Sequence, residues 1–370
     1  MYDNDRVMQE TVDEAARVTG APATLEDRAF NLLASSAQDR EIDSVRQESI
    51  LRRRASPEVR AYFEGFGIGT AEHPVRVPPN PGLSVLGRLC VPVRRAGVTY
   101  GYLWLLDDAG EIDENRLLPL RPAIDRVALL LAQEARARQD RGRRLRDLIS
   151  PSPDVREAAE DLVPAGAEVT LIAVTPAATP IWTPPHGVIA DTSETPYAVL
   201  APSPQAGRVA RELLEAYGVR DRAASPPGRA LAGIGSAAHR EDAWRSWRHA
   251  VLSLRVATAV PGMGPVASWP DLGVYRPLSR LSRSELRDLA ADPPAYLLLA
   301  EGDRDLIRTV ETYLDKAGHA QETATALNIH RQTLYYRLSK AARVTGLNLA
   351  NGEDRLLLHL SLKARHLLTD

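Results

Sequence analysis

A chain of 370 residues is long enough for two or three domains, each with its own hydrophobic core. Hydrophobic residues make up 44% of it and charged residues 25%, as in ordinary globular proteins, and no stretch approaches the roughly 20 apolar residues of a membrane span. The net charge of −2 provides no global attraction for polyanions, so any surface that binds nucleic acid must be local.

The first region, to about residue 120, mixes helix and strand patterns. Its amphipathic N-terminal segment predicts a helix that stops at a turn over residues 20–22, and it is unlike a secretory signal, so we expect a cytoplasmic protein. The following run predicts one strand ending in FNLLASS. SVRQESILRRRASPEVRAYFEGFGI, residues 44–68, has helical periodicity that is interrupted at Pro57. Alternation on both sides of RRAG, residues 94–97, predicts a β-hairpin.

The single cysteine, Cys90, lies in an apolar arm of that hairpin. One cysteine excludes intrachain disulfides and four-thiolate metal sites. Because the neighbouring residues are apolar and there is no resolving cysteine, we expect a buried, inert thiol.

Residues 121–150 predict one long helix between two domains. Ile124, Val127 and Leu131 lie at helical spacing, and the run then becomes densely charged in RARQDRGRRLRD, residues 136–147. Acidic residues interrupt this charged run, which favours a solvated helix surface over a nucleic-acid patch. Such a helix can transmit a rotation or a bend between domains, and it can pair with its copy in a dimer.

The region from 151 to 300 alternates strands and helices. EVTLIAV and YAVLAPS predict strands, AGRVARELLEAYG predicts a helix, and AGIGS predicts the end of a strand that precedes another long helix. This succession is typical of an α/β domain.

The region from 303 to 370 is predicted to be all helical. The first helix places Leu306, Val310 and Leu314 on one face and stops at Gly318. A short second helix, a tight turn and a third helix that ends at Gly346 follow, and a fourth helix covers the C-terminus. The second and third helices have the spacing of a helix-turn-helix.

The third helix contains NIHRQTLYYRL, residues 328–338, and has two different faces. Leu334, Leu338 and Ala341 form a narrow apolar stripe, whereas Gln332 and Tyr336 lie on the opposite side. Four Arg or Lys residues and no acid occur between positions 330 and 343. Arginine and glutamine read base edges, and arginine, lysine and tyrosine contact phosphates.

These features favour a DNA recognition helix over a plain amphipathic surface helix, which is the simpler alternative. A catalytic role is disfavoured because His330 has no cysteine or acid at triad or ligand spacing. No catalytic residue, metal site or cofactor is expected. The residues of this helix that its polar face and flanks predict to contact DNA are Arg331, Gln332, Tyr336, Arg337, Lys340 and Arg343.

The C-terminal segment resembles a known family. Its IHRQTLYYRL, TGL and DRLLLHLSL elements are similar to the C-terminal helix-turn-helix of the PucR/CdaR family of bacterial transcription regulators, which is in turn similar to that of the nucleoid protein Fis. The resemblance implies that His330, Arg331, Thr333, Tyr336 and Arg337 lie near DNA, with His319 and Gln321 directed toward the backbone. The Fis-like pattern favours lysine where Tyr336 stands, so the resemblance implies a phosphate contact or stacking there.

The other two regions resemble further domains of the same family. The middle region resembles a GGDEF-like domain, with SETPY, residues 193–197, where diguanylate cyclases carry Gly-Gly-Asp/Glu-Glu-Phe. The substrate-binding glycines and most metal-binding carboxylates are missing, with Glu194 as one remaining acid, which implies a degenerate, non-catalytic domain. The N-terminal region resembles a GAF-type sensor, chiefly through TLEDRAFNLLASS and LCVPVRRAGVTYGYLWLLDD.

We therefore expect a multidomain α+β protein: a GAF-like sensor over 1–120, a connecting signalling helix over 121–150, a degenerate α/β GGDEF-like domain over 151–300, and an all-α helix-turn-helix domain over 303–370. The expected function is DNA-binding transcription regulation by a dimer or higher oligomer. Expected partners are double-stranded DNA, a second copy of the chain and an unidentified small-molecule effector at the N-terminal domain, with no membrane. The alternative is a nucleotide- or metabolite-handling enzyme of GGDEF descent with an accessory helical domain.

Overall fold

The computed structural model describes residues 2–37, 55–175, 182–221, 230–301 and 303–368. Residues 44–54 of the helical segment predicted over 44–68 lie outside these residues, and the part after the interruption contains a helix over Pro57–Glu64. The chain divides into two compact units, one of Met1–Ala167 with Pro176–Ala230 and the other of Glu168–Thr175 with Leu231–Asp370. Among the described residues, none of the helices combines the length and the apolar character that crossing a membrane requires.

Strands and helices are numbered in chain order over the described residues. The strands are β1 Ala23–Asp27, β2 Leu32–Ser35, β3 Val75–Val77, β4 Arg88–Arg95, β5 Val98–Leu106, β6 Glu168–Thr175, β7 Ile189–Asp191, β8 Tyr197–Pro202, β9 Leu231–Ile234, β10 Ala238–His239 and β11 Val266–Ser268. The helices are α1 Tyr2–Thr19, α2 Pro57–Glu64, α3 Arg121–Leu148, α4 Pro153–Glu157, α5 Ala206–Asp221, α6 Ala243–Ala259, α7 Tyr275–Leu278, α8 Arg283–Ala290, α9 Pro293–Glu301, α10 Arg304–Asp315, α11 Ala320–Leu327, α12 Arg331–Thr345 and α13 Gly352–His366.

The first unit contains a five-stranded antiparallel sheet in the order β2-β1-β5-β4-β3. The hairpin predicted around RRAG is confirmed as β4 and β5. Its two turn residues, Ala96 and Gly97, both have positive φ, 48° and 80°. Two-residue turns of this kind match the twist of the flanking strands.

The single strand predicted to end in FNLLASS is wrong, because the chain forms the short hairpin β1–β2 instead. The Asp27 carboxylate accepts hydrogen bonds from the backbone N–H groups of Ala29 and Asn31, at 2.8 and 2.9 Å. Phe30, within this turn, has a φ of 60°. A side chain that satisfies the turn's own amides stabilises a reversal where apolar alternation alone indicates a continuous strand.

The two faces of this sheet pack differently. Leu103 and Leu105 of β5 join a core with α1 and α3, whereas Tyr102 and Trp104 alternate to the other face and join an aromatic cluster with α2. Cys90 belongs to that cluster and is buried, as predicted. Burial, and then the charge of Glu26, raises the pKa of its thiol well above the ordinary value, so the thiol stays protonated.

Helix α3, predicted as the long helix over 121–150, is confirmed as one continuous element. Its first part packs on β4, β5 and α1, and its second part packs on β7 and β8. A Cβ at Gly142 would lie 2.7 Å from the Ala190 carbonyl oxygen, so only glycine allows this approach. Arg146 pairs with Asp191 at 2.5 Å. The charged run is therefore not simply a solvated surface, because one side of it is packed.

The second unit begins with strands packed against α6. Strand β9 pairs antiparallel with β6 and parallel with β11, and the strand-helix succession predicted at AGIGS is confirmed. A Cβ at Gly233 or Gly235 would lie 2.1 Å from a carbonyl oxygen of α6. These two glycines let the helix backbone rest directly on the strand.

The C-terminal helices form one core within the same unit. Leu334, Leu338 and Ala341 of α12 lie in it together with Ala295 and Leu298 of α9. The sequence prediction assigned residues up to 300 to the preceding domain, but α9 packs with the helices that follow it. Local periodicity indicates which face of a helix is apolar, and it carries no information about the partner of that face.

Candidate nucleic-acid interface

Helices α11 and α12 are joined by a turn over residues 328–330. Asn328 ends α11 in the left-handed conformation, with φ 51° and ψ 47°, and the Ile329 N–H donates to the Ala324 carbonyl at 3.0 Å. His330 is the N-cap of α12, where its Nδ1 accepts a hydrogen bond from the Gln332 backbone N–H at 3.3 Å. The predicted helix-turn-helix geometry is therefore present.

The inner face of α12 is the apolar stripe that the sequence predicted. Leu334 and Ala341 are fully buried and Leu338 is nearly so. Thr345 closes the stripe, with its hydroxyl donating to the Ala341 carbonyl at 2.8 Å, and Gly346 ends the helix with φ 71°. This face fixes the rotation of α12 about its own axis and so decides which side chains point outward.

The outer face of α12 is polar and exposed. Tyr336 is its most prominent side chain, with 66% of its surface exposed. The other exposed residues of this face are Arg331, Gln332, Thr333, Tyr335, Ser339 and Arg343, and His330, His319 and Gln321 are exposed at the two helix starts. Within α12 this surface has hydrogen-bonding and cationic groups and no carboxylate.

Two predicted DNA-contacting residues point elsewhere. Arg337 donates from Nη2 to the Asp305 carboxylate at 2.7 Å and from Nη1 to the Thr309 hydroxyl at 3.1 Å. Lys340 pairs with Asp303 at 3.6 Å. Both cations are thus engaged by α10, a partner that a helical wheel of α12 cannot reveal. Their predicted contact with DNA remains a prediction and would require these pairs to open.

The sequence prediction missed Tyr335. The Arg331 Nε and Nη2 atoms donate to the Tyr335 hydroxyl at 3.2 and 2.9 Å, and the guanidinium carbon lies 5.3 Å from the ring centroid. This pair holds Arg331 at the exposed start of the helix. The i, i+4 spacing was the signal that could have revealed it, because side chains four apart meet on a helix surface.

The histidine at the start of α12 has a structural contact. His330 uses Nδ1 for the helix cap. Among the described residues, no group of three or more His, Cys, Asp or Glu side chains is placed to hold a metal ion.

An ion-pair cluster joins α10 to α13. His366 contacts Glu311 at 2.8 Å, and His359 and Lys363 contact Asp315 at 2.8 and 2.9 Å. Burial alone raises the pKa of both carboxyls. The pairing with His366 and Lys363 outweighs burial for Glu311, and pairing with Lys363 and His359 does so for Asp315, so that both pKa values lie below the ordinary range.

We expect this cluster to make the stability of the protein sensitive to acid. Carboxyls with a depressed folded pKa stabilise the fold above their unfolded pKa of about 4, and the contribution disappears as pH falls through the folded pKa. In urea denaturation followed by circular dichroism, the Glu311→Gln, Asp315→Asn double variant should be less stable than the natural chain at neutral pH. The difference should vanish in strong acid. Glu322→Gln, on the exposed side of α11, is the control, and an equal pH profile for all three proteins would contradict the prediction.

A short helix, a tight turn and a longer helix with a polar outer face define the class of helix-turn-helix proteins. Residues 306–364 match the PucR C-terminal helix-turn-helix domain. The DNA-binding transcriptional activator AdeR of Bacillus subtilis is 22% identical over 409 aligned positions, which cover 99% of this chain and 94% of AdeR.

Two further relatives match over shorter segments. The carbohydrate diacid regulator of Escherichia coli is 40% identical over 73 residues, covering 20% of this chain and 19% of that protein. The purine catabolism regulatory protein of Bacillus subtilis is 34% identical over 67 residues, covering 18% and 13%. The C-terminal domain of this chain is therefore a helix-turn-helix of the PucR type, and the chain is similar to DNA-binding transcription regulators.

Proposed function

We propose that this regulator binds double-stranded DNA sequence-specifically by placing the outer face of α12 in the major groove. The observation that carries the proposal is the composition of that face: exposed Gln332, Thr333 and Tyr336 beside Arg331 and Arg343, with no carboxylate on the helix. Glutamine and arginine hydrogen-bond to adenine and guanine edges in the major groove. Arg331, whose orientation Tyr335 supports, and Gln332 are the candidates for base contacts.

Phosphate contacts come from the start of α11 and from the rim of α12. His319 and Gln321 are exposed at the N-terminus of α11, where unpaired backbone N–H groups favour an anion. Tyr336 and Arg343 lie farther along α12 and suit phosphate contact or stacking. These contacts set the orientation on the duplex, and the base contacts supply the specificity.

Arg337 and Lys340 act differently in this proposal. Their pairs with Asp305 and Asp303 attach α12 to the N-terminal turn of α10. Asp303 is also the N-cap of α10, and the Leu306 backbone N–H, followed by Lys340 and Arg337, holds the pKa of its carboxyl below the ordinary range. We infer that these two cations set the angle of α12 on the helical body more than they contact DNA.

The rest of the chain is assigned to sensing and signal relay. We propose a GAF-like sensor over 1–120, a signalling helix over 121–150 and a degenerate GGDEF-like domain over 151–300, in a homodimer or higher oligomer. Paired heads would reach successive major grooves about 34 Å apart and multiply the affinity of one head. The antiparallel sheet under α1 and α3 and the β7–β8 hairpin support these assignments.

We infer that the chain is not an enzyme. The SETPY turn between β7 and β8 has no glycine. Arg146 and the Ser193 hydroxyl engage the Asp191 carboxylate, and Arg146 also donates to the carbonyl oxygens of Glu194 and Pro196, each at 3.0 Å. A carboxylate held by an arginine is a poor metal ligand, so this turn does not favour cyclase chemistry.

Fluorescence anisotropy of the full chain on labelled DNA from upstream of its own gene tests the proposal. Unlabelled non-specific DNA is present throughout. Gln332→Ala should weaken binding to the specific duplex by roughly 10- to 100-fold and leave non-specific affinity nearly unchanged. Arg343→Ala should weaken binding to all sequences alike and reduce the salt slope by about one.

Arg287→Ala, an exposed arginine on α8, is the matched control and should leave both affinities unchanged. Arg337→Ala should lower the stability of the protein more than Arg343→Ala does. Unchanged specific binding in the variants Gln332→Ala, Thr333→Ala and Tyr336→Ala would refute the assignment of the recognition face.

A further inference from the structure

A cavity of about 540 Å³ lies in the first unit, beside α3. Its walls come from β1 and the turn after it, from β5, from the middle of α3 and from residues 182–183. The volume lies in the range of small-molecule sites. The aromatic cluster on the other face of the sheet is, by contrast, filled by the rings of Phe30, Phe63, Tyr102 and Trp104.

The first acid in the wall, Asp27, is already satisfied. It is 8% exposed, and it accepts hydrogen bonds from the backbone of Ala29 and Asn31, from the Asn31 side chain at 2.9 Å and from the Thr183 hydroxyl at 2.7 Å. A carboxylate with four donors has no acceptor capacity left for a ligand. Asp27 therefore shapes the wall and holds Thr183 in place.

The second acid, Glu134, is also engaged. It accepts from the Asn4 side-chain amide at 3.4 Å and lies 4.0 Å from Arg138, one turn farther along α3. Arg28 faces the same cavity and is exposed, and within the described ranges no ion pair or side-chain hydrogen bond engages its guanidinium. Both acids of the wall are thus already engaged, and Arg138 is only loosely paired with one of them. The guanidinium N–H groups of Arg28 and Arg138 are therefore available as hydrogen-bond donors to a ligand in the cavity.

We propose that this cavity binds a small organic carboxylate. The carboxylate pairs with Arg28 and Arg138, since guanidinium groups match carboxylates geometrically and are less strongly hydrated than ammonium groups. The apolar body of the ligand packs against Leu131 and Trp182, which also line the cavity.

The position of the cavity gives the ligand a direct route to α3. Leu131, Glu134 and Arg138 lie on one side of that helix at successive turns, and the same helix carries Gly142 and Arg146 against β7. A ligand that draws Arg138 away from Glu134 alters the surroundings of Glu134, whose hydrogen bond from Asn4 joins α3 to α1. An effect on DNA affinity rests on the proposed function, whereas binding of the ligand does not.

The test uses three indole probes that differ in charge and share one ring system: indole-3-acetate, tryptamine and indole-3-ethanol. Isothermal titration calorimetry of the full chain, without DNA, should show indole-3-acetate binding with a Kd in about the millimolar range, as expected for a fragment. The neutral probe should bind at least about tenfold more weakly, because it forfeits a charge-assisted pair. Tryptamine should not bind.

Three variants locate the site. Arg138→Met should weaken indole-3-acetate binding by about tenfold or more, and Ala135→Trp should abolish it by filling the cavity. Arg136→Met, an exposed arginine of α3 that does not line the cavity, is the control and should bind normally. Absence of binding by all three probes at about ten millimolar, a preference for tryptamine, or equal binding by the Ala135→Trp variant would each overturn the proposal.

A parallel anisotropy titration with DNA separates the two proposals. Indole-3-acetate binding without any DNA binding would sustain the carboxylate site and refute the recognition surface. DNA binding without any probe binding would do the reverse.

Discussion

Leu334→Ala is expected to lower the free energy of unfolding by about 2–5 kcal/mol, the range for a fully buried leucine whose removal leaves a cavity. Leu334 is 0% exposed and lies in a core shared by α9, α10, α11, α12 and α13. Because the same stripe fixes the rotation of α12, we also expect the variant to lose specific DNA binding. Urea denaturation followed by circular dichroism measures the first effect, and anisotropy measures the second.

The control is another leucine in the same group of helices. Leu356 on α13 is 59% exposed, so Leu356→Ala should change stability by no more than about 0.5 kcal/mol. Equal destabilisation by the two variants would show that α12 is not anchored through Leu334. Stability loss without loss of DNA binding would show that the rotation of α12 is fixed by other contacts, among which the Arg337 and Lys340 pairs are the first candidates.

Gly142→Ala is expected to destabilise the protein by about 1–3 kcal/mol, the usual cost of overpacking. In an exposed helix the same change stabilises by about 1 kcal/mol, because alanine is the better helix former. At Gly142 the sign reverses, since the new Cβ would lie 2.7 Å from the Ala190 carbonyl oxygen and 3.3 Å from the Asp191 Cα. Helix α3 must then move away from β7, which also strains the Arg146–Asp191 pair.

Gly207→Ala in α5 is the matched substitution. A Cβ there would meet only the end of the Arg211 side chain at 3.7 Å, an ordinary contact, so this variant should gain up to about 1 kcal/mol. Urea denaturation compares the two. Hydrogen exchange along α3 should show faster opening around residue 142 in the first variant alone. A stabilised Gly142→Ala protein would mean that α3 does not rest on β7 in solution.

The features that the sequence predicted correctly are those with a local cause. The β4–β5 hairpin follows from alternation around a two-residue turn, and α12 follows from leucines one helical turn apart and a closing glycine. The features that it missed depend on partners distant in sequence. Asp305 is 32 residues from Arg337, and the core that receives α9 is assembled from four other helices. Neither partner can be inferred from the spacing of residues within α12.

Local patterns also failed where two local causes competed. Around Asp27 the apolar spacing indicated a continuous strand, but a carboxylate able to bond the next amides reversed the chain. In the charged half of α3 the composition indicated a solvated surface, while the single glycine of that run marked the packed side. A polar turn-former or a glycine inside a regular pattern carried more information here than the pattern itself.

The Asp305 and Asp303 carboxylates pair with Arg337 and Lys340, two cations of α12 that would otherwise be available to phosphates. DNA that approaches Arg337 and Lys340 has to displace an anion already bonded to each. We expect such competition to make random duplex a poorer ligand and the salt slope per head to correspond to about two fewer phosphates than the cations of α12 would allow. On the proposed recognition surface we expect discrimination to depend on Gln332 and Arg331, which pair with no carboxylate among the described residues, and we expect ready release from DNA sequences that do not offer their contacts.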